Sequence, residues 1–229
     1  VTRAVALVSG GMKSAVMVAA SREDYELFFL HVETGGRCAA AEQRAFDRVR
    51  SVFGAVESTV VALPHFAELV DHPLYASTTT AGDADEASGL WPGYVPGLMP
   101  ALIDAAVLYA LRKRAERILV GVASDMAPAG ETAAARPDHT REYFQLVNEM
   151  TATLLPHHPL SVETPLIDHT LPDVVRLGNR LNVPFEVTWS CLTGREVPCE
   201  QCAGCRERTA AFVTSGVADG ERRPAAARG

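Results

Sequence analysis

An α/β fold built on a doubly wound, Rossmann-like parallel sheet is predicted by three features of the 229-residue sequence. Short, β-branched apolar runs alternate with helix-length stretches, the first run leads through a glycine turn directly into a helix, and the connections between the early elements are short. Together they describe repeated strand–helix–strand units with right-handed crossovers.

Residues 4–8 form an uninterrupted apolar run, the pattern of a strand covered on both faces. The turn Ser9-Gly10-Gly11 follows, and a helix is expected over 14–21. Residues 26–32 suit a second buried strand, 39–53 a helix ended by Gly54, and 55–63 a third strand. The stretch 64–100 breaks this rhythm. It carries Thr78-Thr79-Thr80, an acidic patch over 83–86 and the turn-rich Trp91-Pro92-Gly93-Tyr94-Val95-Pro96-Gly97, and reads as a structureless functional insertion. A helix over 98–115 and a strand over 117–122 come next. They are followed by a second long loop over 124–140, a helix over 141–155, a strand over 162–167 and a helix over 172–181. The reading is a main α/β domain over 1–187, a cysteine-bearing tail over 188–215 and a disordered Arg-, Ala- and Gly-rich end over 216–229.

Composition narrows the function classes. An apolar fraction of 48% and a charged fraction of 21% are those of an ordinary globular protein. A net charge of −7 excludes nucleic acid as a bulk partner, because phosphate backbones need a positive field. No apolar run approaches the roughly 20 residues of a membrane span. Four of the five cysteines fall within fifteen positions, unlike a distributed disulfide framework, so a reducing, cytoplasmic compartment is expected.

Two motifs carry chemistry. Cys191, Cys199, Cys202 and Cys205, spaced C-x7-C-x2-C-x2-C, can surround one tetrahedral ion. Structural zinc is the reading preferred to buried thiols, an iron–sulfur cluster or redox chemistry, and Cys38 reads as a lone structural thiol. The turn Ser9-Gly10-Gly11-Met12-Lys13-Ser14 joins a buried strand to a helix, where backbone N–H groups, the helix N-terminus and the serine hydroxyls make an anion cradle. Candidate nucleotide ligands are therefore Ser9, Gly10, Gly11 and Ser14, with Arg37 and Asp125 after later strands; Lys13 and Asp138 are the candidate catalytic residues. For Asp125 and Asp138 the alternative is a solvated loop carboxylate, and for Arg37 a surface arginine. Tyr94 is a further crevice candidate, Trp189 reads as packing, and His157-His158 lack the acidic neighbours expected of ligands.

These segments together resemble the 7-cyano-7-deazaguanine synthase family of PP-loop ATP pyrophosphatases. The likeness runs through Val8-Ser9-Gly10-Gly11, Tyr94-Val95-Pro96-Gly97, Pro137-Asp138, Thr164-Pro165-Leu166-Ile167-Asp168, Arg176-Leu177-Gly178 and Thr188-Trp189-Ser190-Cys191 with its three further cysteines and Arg206. The resemblance implies ATP and Mg2+ as cofactors, structural zinc, and a carboxylate or deazaguanine substrate that is adenylated, amidated by ammonia and then dehydrated to a nitrile. It also implies a homodimer, for which the apolar stretch 98–111 offers an interface.

The chain is a divergent member of that pattern. Lys13 stands where the family loop has aspartate, Leu98-Met99 where it has Arg-Asn, Leu171 where it has lysine, and His139-Thr140 where it has Cys-Arg, with Arg141 one place further on. Exchanging a carboxylate for an ammonium changes the local charge by two units. Each unit is worth roughly 3 kcal/mol against a phosphate charge at about 5 Å and an effective dielectric near 20. Lys13 can thus act as a surrogate cation at phosphate or face solvent beside a site that has lost its chemistry. Three functions follow: the family reaction, the same architecture on another substrate, or a non-catalytic nucleotide- or metabolite-binding relative.

Overall fold

The computed structural model describes residues 1–75, 89–124 and 135–220. Five parallel strands, β1 (Thr2–Leu7), β2 (Tyr25–Glu33), β3 (Glu57–Ala62), β4 (Arg117–Val120) and β5 (Ser161–Glu163), pair in the order β3-β2-β1-β4-β5. The chain moves outward from β1 to β3, then returns to the other side of β1 to lay down β4 and β5. The direction of winding therefore reverses between β1 and β4, the position where open α/β sheets have their ligand crevice.

Alternation along the central strands feeds two cores. Ala4, Ala6 and Val8, with Leu27, Phe29 and Leu119, face α1 (Met12–Ser21), α2 (Ala39–Phe53), α6 (Leu171–Arg180) and α7 (Ala203–Ser215). Val5 and Leu7, with Phe28, Leu30, Ile118 and Val120, face α4 (Leu98–Lys113) and α5 (Arg141–Leu154). Burial on both faces explains the continuous apolar runs. Helix ends follow local chemistry. Thr170 and Asp173 close a capping box on α6, Thr140 caps α5, and Gly97 (φ +86°) precedes α4.

The structure corrects the sequence reading in several places. Residues 64–100 are not structureless throughout: a short helix α3 (His65–Leu69) lies there, and Phe66 is buried. The expected strands over 117–122 and 162–167 shorten to β4 and β5, because the chain turns at Gly121 and again over 164–167. The cysteine-bearing tail contains a helix, α7, that the sequence pattern does not announce, and its Ala211 and Phe212 enter the same core as α1 and α6. Residues 216–220 are tied back through Asp219, which pairs with Arg208; 221–229, Asp125 and Thr78–Thr80 lie outside the described residues. No described helix is long and apolar enough to cross a membrane.

Candidate active site

The loop after β1 begins with Val8, whose amide donates to the Leu30 carbonyl at 2.9 Å and whose carbonyl meets His31 Nδ1 at 2.9 Å. Buried His31 stacks on Phe46 with ring centroids 4.9 Å apart. Gly10 adopts φ +83°, and a Cβ there would sit 2.6 Å from the Phe46 backbone nitrogen. A side chain is thus excluded twice, by conformation and by the close approach of α2. Gly121 at the end of β4 gives the same clearance from the other side, since a Cβ there would come within 3.0 Å of the Ser14 backbone.

Between these contacts the first turn of α1 opens into a cleft. The Gly11 amide donates to Ser9 Oγ at 3.2 Å, Ser14 Oγ donates to the Gly11 carbonyl at 2.9 Å, and the two hydroxyl oxygens lie 3.4 Å apart. The amides of the following turn lack helical acceptors and face an anion naturally. The cleft has a volume of about 300 Å³ and is lined by the 9–14 loop, Gly121, the 91–102 segment, Arg136, Asp138, His139, Trp189, Ser190, Gly204 and Glu207. That volume lies at the small end of the range for small-molecule sites.

Its lining is mixed in chemistry. Trp91, Tyr94, Val95, Leu98, Met99 and Leu102 make an apolar and aromatic wall. Lys13, Arg136, Asp138, His139 and Glu207 supply the charged and polar lining. Arg136 is 7% exposed; its guanidinium carbon lies 4.2 Å from the Trp91 ring centre and Nη2 contacts Glu207 Oε1 at 2.5 Å. This sandwich joins the 91–97 turn to α7 across the cleft. Asp138 is also 7% exposed, and its Oδ1 lies 3.9 Å from His139 Nε2. Burial, then the charges of Lys13 and Arg136, push the His139 imidazole down to about 2, so it is neutral at ordinary pH. Burial, reinforced by Asp138, Tyr94 and Asp104, pushes the Tyr143 phenol up to about 12. Burial and Asp138 likewise raise Tyr94.

Of the residues singled out from sequence, Ser9, Gly11, Lys13, Ser14 and Asp138 meet at this cleft, and Gly10 shapes its floor. Arg37 is not among the lining residues: its Nη1 donates to the Pro73 carbonyl at 3.3 Å. Tyr94 and Trp189 both line the cleft, and Trp189 also packs on the cysteine cluster. Arg136, Glu207 and Trp91 are site residues that the sequence alone does not single out. The one local signal is the position of Arg136 directly before Pro137-Asp138.

The four cysteine sulfurs lie within 4.8 Å of one another, with Cys191 and Cys202 4.0 Å apart. A tetrahedral ion with bonds of about 2.3 Å to sulfur separates its ligands by about 3.8 Å, so the set can hold one metal ion with little adjustment. Backbone N–H groups of Cys199, Cys202 and Leu192 donate to the sulfurs of Cys191, Cys199 and Cys202 at 3.3–3.4 Å, the polarisation thiolates require. Ala41 and Ala45 of α2 pack against the cluster.

A sequence model described as "Queuosine biosynthesis protein QueC" matches residues 3–216. The chain belongs to the QueC family. A 7-cyano-7-deazaguanine synthase of Methanospirillum hungatei is 30% identical over 222 residues, covering 95% of this chain and 97% of that protein. Enzymes of the same name from Chlorobium phaeobacteroides (31% identical, 95% of both chains) and Nitratiruptor (28% identical, 95% of this chain and 96% of the other) match similarly. Within this QueC-family chain the divergent positions have distinct settings. Lys13, Leu98, Met99 and His139 line the cleft, Leu171 packs against the core, and exposed Arg141 pairs with Asp168.

Proposed function

We propose that the protein is an ATP-dependent carboxylate-activating ligase of the 7-cyano-7-deazaguanine synthase type. The observation that carries this is the rigidly held Ser9–Ser14 cradle at the β1/β4 crevice of a QueC-family chain. The loop holds the nucleotide's phosphates. A carboxylate oxygen of the substrate attacks the α-phosphorus, pyrophosphate leaves, and ammonia displaces AMP to give an amide. A second activation removes the amide oxygen and yields the nitrile. A bare carboxylate is a poor electrophile, and adenylation supplies the leaving group. In this reading Asp138, buried beside neutral His139, accepts a proton from the incoming ammonia.

The metal we assign to the cysteine cluster is zinc, which four cysteine ligands suit, and its role is structural because they leave no open coordination position. Four cysteines gathered as one ligand set rather than joined in disulfides support a reducing, cytoplasmic setting. Leu146, Met150 and Leu154, exposed along one stripe of α5, and Leu108 of α4 support a homodimer. Light scattering tests this directly, and a monomer at micromolar concentration would remove that part of the reading.

The apolar wall at Leu98, Met99 and Leu102 favours a second reading, in which the same chemistry serves a substrate less polar than a carboxy-deazaguanine. Mass spectrometry separates the two. Zinc-loaded protein, ATP and ammonium are incubated with 7-carboxy-7-deazaguanine, with and without magnesium. AMP accompanied by the amide or nitrile supports the first reading. Nucleotide binding without AMP or either product moves the assignment to another substrate.

A further inference from the structure

Enzymes that bring magnesium to a nucleotide hold it through one or two carboxylates together with the phosphate oxygens. The described part of this cleft is poorly equipped for that. The first turn of α1 contains no acidic residue. Two described carboxylates line the cleft; Glu207 is drawn onto Arg136 at 2.5 Å, and Asp138 is buried beside His139. Lys13 occupies the second position of α1, lines the cleft, and acts electrostatically on His139. A divalent cation at the same phosphate oxygens would have to sit beside this ammonium.

We propose that the loop binds the polyphosphate of its nucleotide without a divalent cation, with Lys13 serving as the counter-ion. This rests on the reading of the cleft as a nucleotide site. Lysine suits that role because its ammonium is a compact point charge on a flexible stem, able to follow phosphate oxygens. The ammonium adds to the positive end of α1, so charge, helix dipole and open backbone donors act in the same direction. Arg136 supplies a second cation to the lining of the cleft, fixed by Trp91 and Glu207. Neutral His139, which feels both charges, adds no further charge and remains a hydrogen-bonding group.

The test is calorimetric, with pyrophosphate and α,β-methylene-ATP, whose α–β bridge cannot be cleaved, as separate probes. Zinc-loaded protein is freed of loose divalent ions on a chelating resin, since a soluble chelator would attack the thiolate cluster. Each probe is titrated with and without added magnesium, and affinities are referred to free ligand. Wild-type affinity is expected to change less than about threefold on adding magnesium, and Lys13→Ala to weaken both probes at least about tenfold in either buffer. Lys13→Asp is expected to bind weakly without magnesium and to recover about tenfold with it. Zinc content and circular dichroism check each variant's fold. Wild-type pyrophosphate binding that appears only with magnesium overturns the proposal, as does a folded Lys13→Ala variant with unchanged affinity. Metal-free binding of pyrophosphate but not of α,β-methylene-ATP upholds Lys13 as counter-ion and removes the nucleotide reading. Binding of neither probe overturns both.

Discussion

The Trp189 amide donates to the Gly10 carbonyl at 3.0 Å, joining the segment that leads into the cysteine cluster to the glycine turn after β1. Both ends of this bond rest on α2: Ala45 and Phe46 crowd Gly10, while Ala41 and Ala45 pack on the cluster. Metal occupancy and loop geometry are therefore linked through one short helix face. Removing zinc, or changing Cys202→Ser, is predicted to lower the melting temperature by more than about 10 °C and to weaken pyrophosphate binding at least about tenfold. Differential scanning fluorimetry and calorimetry on zinc-free and reconstituted protein check this. A destabilised protein with unchanged anion affinity would break the proposed link.

Arg208 is 1% exposed and holds the same region from behind. It pairs with Asp219 at 2.8 Å, donates to Thr188 Oγ1 at 2.8 Å and to the Phe185 carbonyl at 3.0 Å, and lies over the Phe212 ring. Removing one partner of a buried pair strands the other charge, so Arg208→Met should cost about 3–5 kcal/mol in urea unfolding. Adding Asp219→Asn to that variant should recover part of the loss; absence of recovery would show that packing, not charge, dominates.

Gly10→Ala should destabilise the fold by at least about 1–2 kcal/mol from backbone conformation alone, with the clash against Phe46 adding to it. The same substitution at Gly216, which is left-handed (φ +74°, ψ 11°) but has open space around a new Cβ, should cost less and leave anion binding intact. Comparing the two variants by urea unfolding separates conformational strain from collision.

His139 gives a pH signature. Its folded-state value lies near 2, below the unfolded value of about 6.5, so the unfolded chain binds the extra proton first. Stability is fully present above pH 6.5 and falls as the pH drops below it. The slope attributable to this group is at most about 1.4 kcal/mol per pH unit. Burial first, then Lys13 and Arg136, depress it and Asp138 lies alongside, while buried His31 is lowered in the same sense elsewhere. The difference between wild type and His139→Gln over pH 5 to 7 isolates the contribution, and parallel curves would contradict it.

How much is legible in the sequence follows from what each residue's neighbours are. The central strands show because burial on both faces demands unbroken apolar runs, and the cradle because two glycines follow the first of them. Helix α7 is hidden: its buried residues are Ala203, Gly204, Cys205, Arg208, Ala211 and Phe212, a set with one large apolar side chain rather than a stripe of them. A buried arginine looks like a surface one until its partners are seen. The sandwich of Trp91, Arg136 and Glu207 is likewise tertiary, uniting residues from three distant segments with no shared period or motif.

ATP–pyrophosphate exchange tests adenylation at this cradle most directly, because it reads the reversible first step without requiring ammonia or nitrile formation. With zinc-loaded protein, ATP, labelled pyrophosphate and 7-carboxy-7-deazaguanine, label is predicted to enter ATP only when the carboxylate is present, and to fail to do so in Gly10→Ala. Protein that binds nucleotide and retains zinc, yet exchanges no label with this carboxylate, would contradict its assignment as the activated substrate.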